Sequence, residues 1–233
     1  MVSSQRILLV AAEPREFDGL ARLCSRLRRL AWPVYWARYG TANGRQFWMV
    51  ANGAGAANAG RAVSVANAEC QPETVVSMGF CGALDPALSI GDIFVANSLS
   101  GRTFACGIPQ SSLPHSTGML ASIDHVAQTA AEKASLRASG AGAVEMEAAG
   151  VAAHAAEFHI PFFCVRSVTD TAGQTFVTDF NLALLSDGHF GTIRILTSAI
   201  RNPGKAFPEL IRLQRSCRMA SRTLGEFIAG CRF

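Results

Sequence analysis

Five short apolar runs set the main constraint on this chain: RILLVAAE (residues 6–13), QFWMVANG (46–53), TVVSMGF (74–80), IGDIFVAN (90–97) and PFFCVRSVTD (161–170). Each has the length of a buried strand, and the last three are bounded by Gly, Pro or Asp. Between them lie stretches of helical character. Phe17, Leu20, Cys24, Leu27 and Leu30 recur at helical spacing, which predicts a helix after the first strand. The small-residue segment GAGAANAGRAVSVANA (53–68) reads as a tight loop and a second helix. Apolar strands alternating with helices predict an α/β fold with a mostly parallel or mixed central sheet, covered on both faces. At 233 residues the expectation is a single domain over 1–233.

Hydrophobic residues make up 49% of the chain and charged residues 16%, enough for a large core and too apolar for disorder. The seven cysteines (24, 70, 81, 106, 164, 217 and 231) are scattered without a C-x-x-C pair, and the five histidines stand apart. That spacing argues against a disulfide scaffold or a metal site, and nothing calls for a cofactor or nucleic acid. No apolar run approaches the roughly 20 residues of a membrane span. Ile7–Ala12 is too short for a signal peptide, so the cytoplasm is the expected compartment. Only residues 97–118 look rich enough in loop residues to be poorly ordered.

Charge is concentrated at the end of the chain. From Arg201 onward seven Lys/Arg face two acids, Glu209 and Glu226, within a total net charge of +4. Arg212, Arg215, Arg218 and Arg222 fall at helical spacing beside the stripe Leu210, Leu213, Cys217, Ala220, Leu224 and Phe227. A basic amphipathic helix is predicted at about 207–230. It either docks on the core with a solvated arginine face or makes peripheral contact with an anionic membrane surface or acidic partner.

In open α/β sheets ligands bind beyond the carboxyl ends of the strands. That rule selects Glu13–Glu16, Met78–Gly82, Asn97 and Ser98, and Thr169–Gly173 as segments that could share one crevice. The loop GAGAAN (53–58) nearly matches a dinucleotide-binding G-x-G-x-x-G, but Asn58 stands in place of the third glycine. Glu73, the acid at ribose-binding spacing, precedes a strand where it should follow one. Close helix packing explains those small residues better than phosphate binding. Three acids remain: Glu16 after the first strand, Glu147 in VEMEAAG, and Asp170 in VRSVTDTAG. Singly, each reads as a helix-start or capping acid.

Together, VVSMGFCGALDPALSIGDIFVA, GAVEMEAAGVAAH and IPFFCVRSVTD, in that order after RILLVAAEPREF, resemble the nucleoside phosphorylase and nucleosidase superfamily. Within it the chain is most similar to methylthioadenosine/S-adenosylhomocysteine nucleosidases and to the hopanoid-associated phosphorylase branch. The resemblance runs from Arg6 to about Thr171 and implies a three-layer α/β/α fold. It implies cleavage of the N-glycosidic bond of an adenine nucleoside, most simply hydrolysis of a 5′-substituted adenosine. Such a reaction passes through a cationic sugar while negative charge builds on the departing base.

The resemblance assigns the general acid near purine N7 to Asp170, oriented by Thr169, and the ribose hydroxyls to Glu147, with Met146 along the sugar. Glu16 would activate water, with Arg166 beside it. Gly79 and Phe80 would line the substrate site, and Val126 stands where an aromatic ring would face the purine. Glu145 is expected to be solvated. Phosphate as nucleophile stays open, although the R-x-x-S pattern of related phosphorylases reads Ser77 and Phe80 here. Phe80 also removes a hydroxyl near the water.

The span between IGDIFVAN and VEMEA is short, which predicts a more open pocket suited to a bulky or lipidic 5′ group. The alternatives are a phosphorylase acting on an adenosylated lipid, a non-catalytic nucleoside-binding protein, and, least favoured, a nucleotide-dependent oxidoreductase. A homo-oligomer is expected by resemblance.

Overall fold

The computed structural model describes residues 5–101, 104, 106–200 and 202–233. In chain order the elements are β1 (Arg6–Ala11), a 3-10 turn (Pro14–Phe17), α1 (Asp18–Leu23), β2 (Ser25–Arg29), β3 (Trp36–Ala42), β4 (Arg45–Ala51) and α2 (Ala56–Cys70). Then come β5 (Thr74–Ala83), β6 (Ile93–Leu99), β7 (Ser116–Ser122), α3 (Ala130–Ala138) and β8 (Ala143–Glu145). The last elements are α4 (Ala148–Glu157), β9 (Phe162–Asp170), α5 (Phe180–Ala183), α6 (Thr192–Ile200) and α7 (Pro203–Gly230).

Alternation along β1 builds the layers. Leu8 and Val10 join a core with α2 and α4 through Ala59, Val63, Val151 and Ala155. Ile7 and Leu9 point the other way, into a core with Phe17, Leu20, Leu224 and Phe227 of the α1–α7 side. Helices therefore cover both faces of the sheet, giving three layers. The sheet is mixed, ordered β2-β3-β4-β1-β5-β8-β7-β6-β9, with β9 returning to β5. β5 makes this closure possible. Its first half pairs with β1, its final Gly82 and Ala83 pair antiparallel with β8, and β9 runs parallel to it from Val75↔Phe162 to Gly82↔Asp170. The ring β5-β8-β7-β6-β9 gathers the ends of β5, β8 and β9 in one place.

Two sequence expectations are corrected. The helix expected through Leu30 stops at Leu23, and β2 pairs antiparallel with β3 as an edge strand. A register shift between Ser25 and Arg28, with Arg26 at φ 56°, rephases that strand. Cys24 and Leu27 thus both pack against Gly40 at a spacing that imitates a helix. The second correction concerns residues 97–118, whose ends belong to β6 and β7. Residues 102, 103 and 105 of that stretch lie outside those described.

The glycine loop serves helix packing at Ala56, as expected, and meets a small residue of α4 there. A Cβ on Gly150 would run into the carbonyl of Ala56, so only glycine lets α4 approach the start of α2 this closely. The basic tail is α7, and its apolar stripe faces inward: Cys217, Ala220, Leu224 and Phe227 are buried. Docking on the core is therefore the correct reading of that stripe, and the outward face carries the arginines.

Candidate active site

At the carboxyl ends of β1, β5 and β9 the fold encloses a cavity of about 460 Å3. Glu16, Phe80, Glu147 and Asp170 line it, as do Met146, Thr169 and Val126. Asn97 and Ser98 do not; they lie within β6, where Asn97 is exposed and Ser98 Oγ donates to its side chain.

Glu16 is held by the 3-10 turn that ends β1. Its Oε2 accepts from the Glu13 amide at 2.8 Å and its Oε1 from the Phe80 amide at 2.7 Å. Burial pushes its carboxyl up, partly opposed by those amides and by Arg166. Gly79 permits the approach. A Cβ there would stand 2.5 Å from Glu16 Oε1 and 2.6 Å from Arg166 Nη1, so Gly79 lies behind the lining as the spacer between these two groups.

Arg166 is fully buried and does not reach the cavity lining. It pairs with Glu145 and donates from Nη2 to Ser77 Oγ at 2.7 Å. Burial opposes its charge, but Glu145 first, and then the other nearby acids, outweigh that effect and keep the guanidinium charged. Glu145 is the main correction among the side chains. It is not solvated but buried, and besides Arg166 it accepts from the amides of Glu147 at 3.0 Å and Ala148 at 2.9 Å, closing the start of α4. The arginine, not solvent, turns it inward.

Glu147 faces the cavity, with Oε1 accepting from the Gly55 amide at 3.0 Å. The glycine loop that fails as a phosphate cradle thus holds a carboxyl group. Burial, reinforced by Glu145, pushes Glu147 up to about 8. Met146 packs with Ala12 and Ala54, and Val126 rests against this cluster. The Val126 backbone is clamped by Asn181, with bonds of 2.8 and 3.0 Å.

Asp170 ends β9. Thr169 Oγ1 donates to its Oδ1 at 2.9 Å, and Lys133 of α3 pairs with its Oδ2. Burial raises its carboxyl while Lys133 lowers it, with the net shift upward. A Cβ on Gly82 would stand 2.8 Å from Oδ2, so glycine is what lets β5 pass this close to the acid.

Sequence reasoning missed Lys133, the buried role of Glu145, and an aromatic wall. Phe176 and Phe180 meet edge to face at 5.1 Å, Phe180 and Phe190 at 6.3 Å, and all three line the cavity. Ile195 of α6 and Leu213 and Cys217 of α7 extend that wall. The cluster FVTDF (176–180) was the available signal for the rings. Lys133 had none, because its partner lies 37 residues away. Among the described residues no cluster of His, Cys, Asp and Glu could hold a metal ion.

The family model for the phosphorylase superfamily matches residues 6–122 and 107–187. The chain belongs to this superfamily. A 5′-methylthioadenosine/S-adenosylhomocysteine nucleosidase of Staphylococcus epidermidis is 29% identical over 164 residues, covering 57% of this chain and 72% of the relative. The enzyme of the same name from Staphylococcus haemolyticus is 25% identical over the same length. Among solved structures, the nucleosidase of S. pneumoniae with a transition-state inhibitor aligns with TM-score 0.70 at 15% identity, covering 97% of both chains. Futalosine hydrolase of Helicobacter pylori also aligns at 0.70, with 17% identity over 97% of this chain and 96% of its own. These solved structures share the fold across nearly the whole chain, including α6 and α7, which lie beyond the matched family model.

Proposed function

We propose that the chain hydrolyses the N-glycosidic bond of an adenine nucleoside with a substituted 5′ carbon. One observation carries the reading: Asp170, Glu147 and Glu16 line a single cavity, and burial pushes the carboxyl of each one up from its ordinary value. Asp170 protonates the departing purine at N7 as the C1′–N9 electron pair passes to the base. Glu147 accepts from the ribose hydroxyls and so holds the sugar on which positive charge builds. Glu16, raised toward neutrality, takes a proton from the water that attacks C1′. The relatives named as nucleosidases support the same chemistry.

Water is favoured over phosphate by charge. Arg166 sits close to Glu16, but it is buried and committed to Glu145 and Ser77. A phosphate entering there would lie against Glu16 and Glu147, with Arg15 the arginine on the lining and Arg166 already taken up by its buried partners. With methylthioadenosine and excess phosphate, phosphorus NMR should show no sugar 1-phosphate while adenine accumulates. A stoichiometric sugar phosphate would make the enzyme a phosphorylase.

A lipidic 5′ group is a second reading, favoured by the outer surface of the wall. Ile193, Leu196 and Ile200 of α6 and Phe207 and Ile211 of α7 are exposed, while Ile195 and Leu213 of the same helices line the cavity. Arg194, Lys205, Arg212, Arg215 and Arg218 are exposed on these helices; of the two acids of α7, Glu209 is buried on the amides of Val177 and Thr178, and Glu226 pairs with Arg222 near the far end. Apolar side chains ringed by cations fit an anionic bilayer, from which an adenosylated lipid could be drawn. A second copy docked about a two-fold axis would set arginines against arginines.

A further inference from the structure

Lys133 projects from α3 into the interior and is 1% exposed. Long cationic side chains are almost never buried unless paired, and its ammonium has three partners. It pairs with Asp170 Oδ2, donates to the Thr171 carbonyl at 2.9 Å, and lies 5.4 Å from the centre of the Phe176 ring. It is absent from the cavity lining, whereas Asp170 and Phe176 belong to it. The lysine therefore sits behind the acid and reaches the substrate only through it. Two thiols also face this carboxyl, Cys81 from β5 and Cys217 from α7. Burial raises both, Cys217 to about 11, so neither ionises across the neutral range.

We propose that Lys133 is a positioning residue that sets how readily Asp170 gives up its proton. The inference rests on the nucleosidase reading for the direction of proton transfer. When the C1′–N9 bond breaks, the proton on Asp170 moves to N7 and the carboxyl becomes a carboxylate. In a dry site that charge is costly on its own. Lys133 is already in place on Oδ2 to compensate it, while Thr169 Oγ1 holds Oδ1. Asp170 is thereby a stronger acid than burial alone would make it, and the range over which it stays protonated ends at a lower pH. The aromatic wall takes part, since Phe176 touches both the cavity and the lysine.

The test compares wild type with Lys133→Met in two measurements. In the ligand-free protein, the carboxyl C=O infrared band assigned by loss in Asp170→Asn is titrated with pH. For turnover, the basic limb of kcat/KM for methylthioadenosine is followed. Removing an opposite charge in contact raises an acid by about 1–3 pH units, so both midpoints should move up by about that amount in the variant. Plateau kcat should fall as the acid weakens. A role in packing alone would lower thermal stability and leave both midpoints unmoved, which would overturn the proposal. If Lys133→Met does not fold, Lys133→Gln keeps a donor to Thr171 and should show the same shift. An infrared shift without turnover of any adenine nucleoside would uphold the lysine's action on Asp170 and remove the nucleosidase reading instead.

Discussion

Glu145 and Glu147 sit two residues apart on one short stretch, yet burial gives them different tasks. Glu145 closes a buried pair with Arg166, so Glu145→Gln leaves a buried guanidinium without its counter-charge. Breaking such a pair costs roughly 3–5 kcal/mol, against about 0.5 kcal/mol or less for a solvated glutamate. Urea unfolding of the variant distinguishes the two. Glu147 should make stability depend on pH. Its carboxyl is raised from 4.5 to about 8 in the folded chain, so the fold favours the protonated form. That contribution is fully present below pH about 4.5 and is lost as pH rises through about 8. Glu147→Gln fixes a neutral side chain that can still accept from Gly55. The variant should unfold later than wild type at pH 9, with the gap closing at pH 4.5; an equal gap at both would exclude the shift. At this scale the sequence made the acids at the strand ends legible, because strand ends are where such folds bind ligands. It hid Lys133 and the partner of Arg166, since nothing near either in the chain announces an acid 37 or 21 residues away.

Helix approach through glycine is the device that recurs among the elements. Gly150 brings α4 onto the start of α2, next to the Gly55 amide that Glu147 accepts from. Gly150→Ala would force these helices apart, costing about 1–3 kcal/mol as overpacking and loosening the grip on Glu147. The expected result is a lower melting temperature together with a raised KM. A lower melting temperature with KM unchanged would separate this packing from the site. Strands β1, β5, β6 and β9 were readable because each is a continuous apolar run buried on both faces. β2 was not, because a bulge on an edge strand copies the helical interval between Cys24 and Leu27. β3 was missed as well, although the Asn43-Gly44 turn joining it to β4, with both residues at positive φ, is a hairpin signal.

Taken as a whole, the molecule puts its ligand wall and its unusual surface on the same helices. The basic amphipathic tail was legible as a helix, but its exposed apolar residues are not on the stripe that its periodicity suggested. The later part of that stripe, Ala220, Leu224 and Phe227, is spent on the core, its earlier part, Leu210, Leu213 and Cys217, lines the cavity, and the exposed residues cluster on α6 and the first turns of α7. No described helix is long and apolar enough to cross a membrane. Flotation with phosphatidylglycerol vesicles should recover the protein, and raised salt or phosphatidylcholine vesicles should release it. Combined Ile193→Ser, Leu196→Ser and Ile200→Ser should abolish recovery without changing turnover of methylthioadenosine. If these substitutions instead convert a dimer to a monomer in solution, the face is an interface between copies.

The whole reading turns on Asp170 as an acid in an adenine-releasing site. Free adenine is the quantity to measure, from methylthioadenosine and from bulkier 5′-substituted adenosines, with wild type and Asp170→Asn in parallel. Phosphate-independent release by wild type, reduced about 10²–10⁴-fold in the variant, is the expected result. Release that is undiminished in Asp170→Asn, or no release from any of these nucleosides, would contradict it.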